Sequence, residues 1–261
     1  MRTWRTLLLH ATPALLAAAV PGCATPPPAS DPDALAYYQQ TNDPLEPTNR
    51  VFYAINNGID AVIFRPLAVG YHYAVPQVMR DHVHDALANL NSPVLLANDV
   101  LEGKPRRAGD TLMRFVINST AGVGGFFDVA DGWGYPSHEA DFGMTLAVWG
   151  VDPGPFLYLP VLGPSDPRDA FGFGVDIAID PFTWVGNGGV VQDLGYVRYG
   201  MSAVDARDRY GSDLDKVKEQ ALDPYATFRS LYRQHREGQI DAIRNDDRAT
   251  TPGWYSAPAP Q

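Results

Sequence analysis

Apolar side chains recur every three to four residues through most of this chain, and glycine or proline stands between almost every pair of such stretches. The stripe Phe52, Ile55, Ile59, Val62, Ile63 has this spacing, as do Met79, Val83, Leu87, Leu90 and Leu112, Phe115, Val116, Ser119. A repeat of three to four places one face of an α-helix against a common partner, whereas a half-buried strand would alternate every second residue. Similar stripes cover 138–149, 168–179, 190–207, 214–222 and 225–235. Strand alternation is rare. Its best example, Phe156 to Leu162, is flanked and interrupted by Pro155 and Pro160, which argue for an extended apolar loop. The pattern predicts an all-α protein with extended loops and few or no strands.

The dipeptide Asp-Pro occurs at Asp43-Pro44, Asp152-Pro153, Asp166-Pro167, Asp180-Pro181 and Asp223-Pro224. An Asp side chain accepts from the free N–H groups of a first helical turn, and the following proline surrenders only a donor that had no partner there. Several of these dipeptides therefore read as helix starts. No two place their carboxylates on one helical face, which argues against a paired-acid catalytic role.

The N-terminus has a different character. Arg2 and Arg5 precede an apolar run from Leu7 to Val20, which ends in Val20-Pro21-Gly22-Cys23. A short basic region followed by an apolar stretch too brief to span a bilayer reads as a secretory signal. The last four residues resemble the bacterial lipobox, in which the thiol is acylated and becomes the first residue of the mature protein. Cys23 is then the lipid-attachment residue, and Ala24 rather than Asp after it resembles the signal for outer-membrane sorting. The residues also allow an ordinary early thiol, or one discarded with a signal cut elsewhere. The expected organisation is a signal peptide over 1–22, a lipidated Pro-rich tether over 23–42, a helical domain over 43–240 and a flexible tail over 241–261.

Cys23 is the only cysteine, so no internal disulfide can hold the fold. Without the signal, 18 basic side chains face 30 acidic ones, a formal charge of −12. Such a balance excludes a general nucleic-acid binder, which needs a basic face to release counterions. Glycine (24) and proline (23) are above ordinary usage, yet aromatic and aliphatic residues suffice for a core, so this is a heavily punctuated folded chain.

Signatures of catalysis are absent from the sequence. It contains no G-x-S-x-G elbow and no H-E-x-x-H pair. His82 and His84 point about 200° apart on a helix and cannot share a metal as an i, i+4 pair could. Gly122-Val123-Gly124-Gly125 has no following lysine to reach a phosphate. No metal, cofactor or enzymatic activity is expected.

Taken together, Asp43-Pro44-Leu45-Glu46-Pro47-Thr48-Asn49-Arg50, Arg65-Pro66-Leu67-Ala68, Val75-Pro76, Arg114 to Thr120, Gly122 to Ala130, and Asp223-Pro224-Tyr225 with Arg229 and Tyr232 resemble the MlaA/VacJ family of outer-membrane lipoproteins. The resemblance runs from about Asp43 to Arg236. It implies a ring-like, helical, monotopic membrane domain around a polar channel, anchored in the periplasmic leaflet of the outer membrane. It also implies retrograde phospholipid transport that maintains lipid asymmetry, with a trimeric porin and a soluble periplasmic lipid carrier as partners.

On that reading Asn118, Ser119 and Thr120 are candidates for a polar channel lining, and Gly122, Gly124 and Gly125 for a hinge at its mouth. A helix C-cap followed by a turn is the alternative for the glycines. A scaffolding lipoprotein and an envelope hydrolase are the competing functional classes. Replacement Cys23→Ala is expected to abolish fatty-acid labelling and outer-membrane retention; a variant that labels and fractionates as wild type would refute the anchor.

Overall fold

The computed structural model describes residues 27–28, 30–184 and 189–249. The signal region and Cys23 lie outside them, as does the end of the chain from 250. Eleven helices and one hairpin follow in order among the described residues. Helix α1 is Pro32–Thr41, α2 Glu46–Ile59, α3 Arg65–Ala74, α4 Gln77–Leu101 and α5 Pro105–Thr120. The short α6, Val129–Gly132, and α7, Phe142–Val148, lead to strands β1, Leu157–Leu159, and β2, Gly163–Ser165. Helices α8 (Pro167–Ile179), α9 (Pro181–Trp184), α10 (Val190–Gln220) and α11 (Pro224–Arg244) complete the chain.

Between α2 and α3 the helix continues without a break through a π-helical turn, Asp60–Phe64. Pro66 explains it. A proline inside a helix has no N–H for the carbonyl four residues back, and its ring crowds that carbonyl. The widened turn absorbs the conflict, and the Arg65 N–H donates five residues back to Asp60.

Two of the Asp-Pro dipeptides start long helices as expected. Asp166 accepts from the Asp169 N–H at 2.8 Å and Asp223 from the Ala226 N–H at 3.2 Å. Asp180 accepts from the Phe182 N–H at 3.1 Å ahead of the single turn α9. Asp152-Pro153 starts none. Asp43 is diverted: its carboxylate is taken by Asn49, Arg229 and Tyr225.

The structure departs from the sequence reading in four further places. The tether contains helix α1. The stripes at 190–207 and 214–222 belong to one 31-residue helix, since isolated glycines cost a helix only about 1 kcal/mol each. The segment expected as an extended loop forms a two-stranded antiparallel hairpin, with Leu157 opposite Ser165 and Leu159 opposite Gly163. In a two-stranded ribbon every strand is an edge, so prolines at and beside the strands remove no obligatory ladder bond. Finally, the expected tail begins as the end of α11, and beyond it the Asp247 carbonyl accepts from Arg107 at 2.7 Å while Arg248 grips both oxygens of Asp110 at 2.7 and 2.5 Å.

Packing closes these elements into a circuit. The hairpin joins α2 to α11, α11 packs on α7, α7 on α4, α4 on α10, α10 on α3, and α3 returns through the π-helical turn to α2. Helices α7 and α8 cross at Gly143 and Gly172 so closely that a Cβ on Gly172 would lie 2.3 Å from the Gly143 nitrogen.

The polarity of this body is inverted. Among the described residues nineteen buried side chains are polar or charged against thirteen apolar ones, five of which are alanine. The two apolar clusters are small: Met144, Ala147, Ile240 and Ile243, and the aromatic group Phe156, Tyr158 and Tyr225. Meanwhile Val62, Ile63, Leu67, Val69 and Tyr73 are exposed along one continuous stretch. Single exposed apolar residues are ordinary, but long contiguous ones mark a surface made for lipid or a partner. No described helix is long and apolar enough to cross a membrane.

The interior is held by paired charges. Asp99 receives His138 Nε2 at 2.9 and 3.0 Å and the Thr111 hydroxyl at 2.6 Å, with Arg107 Nε 3.7 Å away. Arg107 also donates to the Glu139 carbonyl at 2.9 Å. One turn on, Glu102 is buried beside this cluster, and burial followed by the nearby Asp99 charge raises its carboxyl to about 7. Burial likewise lifts Asp85, Asp166 and Asp176 to about 6.

Each of these acids binds its proton more tightly folded than unfolded, so the native state holds more protons between the two values. Stability therefore falls as pH rises through that window. For Glu102 the window runs from 4.5 to about 7. Thermal melting in detergent is expected to be higher at pH 5 than at pH 8, and Glu102→Gln to flatten much of that slope. Equal slopes in wild type and variant would refute the assignment.

Candidate functional site

Two asparagines on α2 fasten the hairpin to that helix as a wall, and the second of them, Asn56, lines a cavity against it. Asn49 donates to the Phe156 carbonyl at 3.0 Å and accepts from the Tyr158 N–H at 2.9 Å. Asn56 donates to the Leu159 carbonyl at 2.8 Å and accepts from the Val161 N–H at 2.7 Å. Seven helical residues rise about 10.5 Å and three extended residues about 10 Å, so these side chains reach backbone groups three residues apart at the two ends of β1. Their shared face is what spacing by two helical turns provides. Asn49 also reaches Asp43 at 2.8 Å, and Asp43 holds Arg229 at 2.8 Å and the Tyr225 hydroxyl, which ties α11 to the same wall.

Between this wall, the π-helical turn, α10 and α11 lies a cavity of about 460 Å³, within the range of small-molecule sites. Its lining is amphipathic. Tyr53, Phe64, Tyr158, Leu162, Leu214 and Phe228 form the apolar part, and Asp60, Arg207 and Lys218 the charged part. Asp60 accepts from Arg207 Nε at 2.7 Å and Nη2 at 3.3 Å, and from Lys218 at 3.3 Å. Burial alone would raise the Asp60 carboxyl, but the bonds and charges of Arg207 and Lys218 bring it below the usual carboxylate range. Arg207 also donates to Asp215 at 3.0 Å. The tyrosines pack edge-on, with Tyr53 5.5 Å from Tyr158 and 5.8 Å from Tyr225.

The residues singled out from sequence lie elsewhere. Asn118 is buried at the end of α5, donating to Asp128 at 2.9 Å and accepting from the Ala130 N–H at 3.0 Å. Ser119 accepts from Asn89 at 3.0 Å, and Thr120 is exposed and bonds back to the Val116 carbonyl at 2.7 Å. The glycines form the turn that ends α5: the Gly124 N–H donates to the Ser119 carbonyl and the Gly125 N–H to that of Asn118, with positive φ at both. Gly125 lies against Asn89, where a Cβ would come within 2.5 Å of that side chain. None of these residues lines the cavity, and Cys23 is outside the described region. His84 meets Asp205 at 2.8 Å while His82 stacks 4.4 Å from Phe127, so the two histidines face different neighbours.

Sequence reading missed Asn49, Asn56, Asp60, Arg207 and Lys218. The available signal was a polar break, Asn56-Asn57-Gly58 and then Asp60, within an otherwise apolar helical stripe.

Comparison with known proteins now decides the family. Residues 41–239 match the family described as MlaA lipoprotein. The chain belongs to the MlaA lipoprotein family. It is 35% identical over 207 residues to the intermembrane phospholipid transport system lipoprotein MlaA of Haemophilus influenzae, covering 77% of this chain and 80% of that protein. Identity to the Escherichia coli lipoprotein of the same name is 32% over 204 residues, 76% and 78% of the two chains. A solved structure described as the structural basis for maintenance of bacterial outer membrane lipid asymmetry superposes with a TM-score of 0.65 at 29% identity, covering 76% of this chain and 98% of that one.

Replacing Asn49 by Ala leaves the Tyr158 N–H and the Phe156 carbonyl unpaired in the interior. A loss of roughly 2–4 kcal/mol of stability is expected, read as a lowered melting temperature; an unchanged melt would show that the hairpin is held by its aromatic contacts instead.

Proposed function

We propose that this protein is the outer-membrane component of an intermembrane phospholipid transport system. Anchored through Cys23 and embedded in the periplasmic leaflet, it takes phospholipids mislocalised in the outer leaflet and passes them inward to a soluble periplasmic carrier. It works beside a trimeric porin and maintains lipid asymmetry. It performs no covalent chemistry.

The observation that carries this reading is the inverted polarity of the body. Exposed aliphatic and aromatic side chains suit hydrocarbon, while each helix satisfies its own backbone hydrogen bonds. A phospholipid has the same two-sided character as the cavity. Its charged headgroup is costly to move through hydrocarbon, and a polar wall inside an apolar shell lowers that cost. The amphipathic lining meets this need with Asp60, Arg207 and Lys218 on one side and aromatic rings on the other. The names of the Haemophilus influenzae and Escherichia coli relatives point the same way.

Deletion of the gene is expected to raise outer-leaflet phospholipid and sensitise cells to detergent, with wild type in trans reversing both. A deletion strain with an unaltered outer leaflet would refute transport. Restored detergent resistance without restored leaflet composition would point to scaffolding.

A further inference from the structure

We propose that Arg207 and Lys218 bind the phosphodiester of a glycerophospholipid, and that Asp60 is their resident counter-ion, displaced when the lipid enters. The inference rests on the transport reading above and assigns the residues that hold the headgroup.

Arg207 and Lys218 are the cations in the cavity lining, and both point to one carboxylate. Their side chains retain 10% and 29% of their exposure and that of Asp60 21%, so all three are partly desolvated yet reachable. The charge balance favours an incoming anion. Asp60 offsets one of the two cations. Asp215, the second partner of Arg207, is itself paired with Arg65 at 3.2 Å. The cluster of Arg65, Arg207, Lys218, Asp60 and Asp215 thus carries one net positive charge, which a singly charged phosphodiester would neutralise.

Geometry agrees with charge. Asp60 presents two oxygens to Arg207 and one of them to Lys218. Two phosphodiester oxygens offer the same fork to a guanidinium and an ammonium, so lipid entry exchanges one set of charge-assisted bonds at the two cations for another, and the displaced Asp60 carboxylate, 21% exposed, turns to water. Inorganic phosphate has the same charged end, but the apolar half of the cavity, with Phe64, Leu162, Leu214 and Phe228, selects the lipid. Asp60 lies on the π-helical turn imposed by Pro66, at the junction where α2 becomes α3.

Binding of dihexanoylphosphatidylcholine to the full-length lipidated protein in detergent tests the assignment, with inorganic phosphate as competitor. Arg207→Gln with Lys218→Gln is expected to weaken binding at least tenfold, and Asp60→Asn, which removes the competing carboxylate, to tighten it severalfold. Inorganic phosphate is expected to displace the lipid only at far higher concentration. Wild-type affinity in the double variant, or weaker binding in Asp60→Asn at an unchanged melting temperature, would overturn the proposal. Displacement by phosphate at concentrations matching the lipid would also overturn it in favour of a free-anion site. If the double variant does not fold, Lys218→Gln alone decides, with at least threefold weakening expected and no change contradicting the proposal. A double variant that binds lipid normally and supports lipid asymmetry in cells would discard this site and leave transport intact. A wild-type protein that binds no phospholipid, in a strain whose outer leaflet does not need it, would discard transport itself.

Discussion

Arg107, Asp99 and His138 are completely shielded from solvent, and the surrounding elements are placed so that none of these side chains stands alone. An unpaired charge in such a position costs several kcal/mol, so the partners fix where the helices go. Asp99 comes from α4, Arg107 and Thr111 from α5, and His138 with the Glu139 carbonyl from the segment before α7. The Asp247 carbonyl, beyond α11, completes the set. One buried cluster therefore joins four parts of the chain. With apolar clusters as small as those here, specificity of arrangement falls to such networks rather than to jigsaw packing of aliphatic side chains.

The same logic repeats around the circuit. Asp141 and Asp169 share Arg236 of α11, with contacts of 2.7 and 2.6 Å, and Tyr232 adds a hydroxyl to Asp169 at 2.6 Å. Asp180 binds Arg198 and Tyr199 of α10, while Arg198 donates to the Leu90 carbonyl in the turn before Pro93. Asp208 and Asp205 of α10 hold Arg80 and His84 of α4. Charges directed inward leave the outer faces free for apolar side chains. An amphipathic cavity is the natural product of such a design, because polar walls already exist where the helices meet.

Much of the helical content was legible from local pattern, since a repeat of three to four residues and the capping chemistry at Asp166 and Asp223 act within a few positions of the chain. What escaped depends on distant partners. Asp43 looks like a helix cap, but Arg229 and Tyr225, nearly two hundred positions away, claim its oxygens. The hairpin escaped because Leu157–Leu159 owes its regularity to Asn49 and Asn56, more than one hundred residues earlier. The cavity residues escaped for a related reason. Asp60, Arg207 and Lys218 are unremarkable charges along the sequence and become a group only when α10 folds back over the π-helical turn. Asn118 was visible as a polar residue at a helix end, and there it caps and cross-links through Asp128.

Inverted polarity is the claim on which the rest stands, and the accessibility of its outer face measures it directly. If Cys23 is acylated as proposed, spin labels on cysteines placed at Val62, Val69 and Phe171 report single sites, and Lys216 supplies a position where charged side chains face outward. In bilayers the first three are expected to be relaxed strongly by oxygen and weakly by a water-soluble nickel chelate, as sites in hydrocarbon are, with the reverse at 216. Strong nickel accessibility at all four positions would contradict a body immersed in lipid.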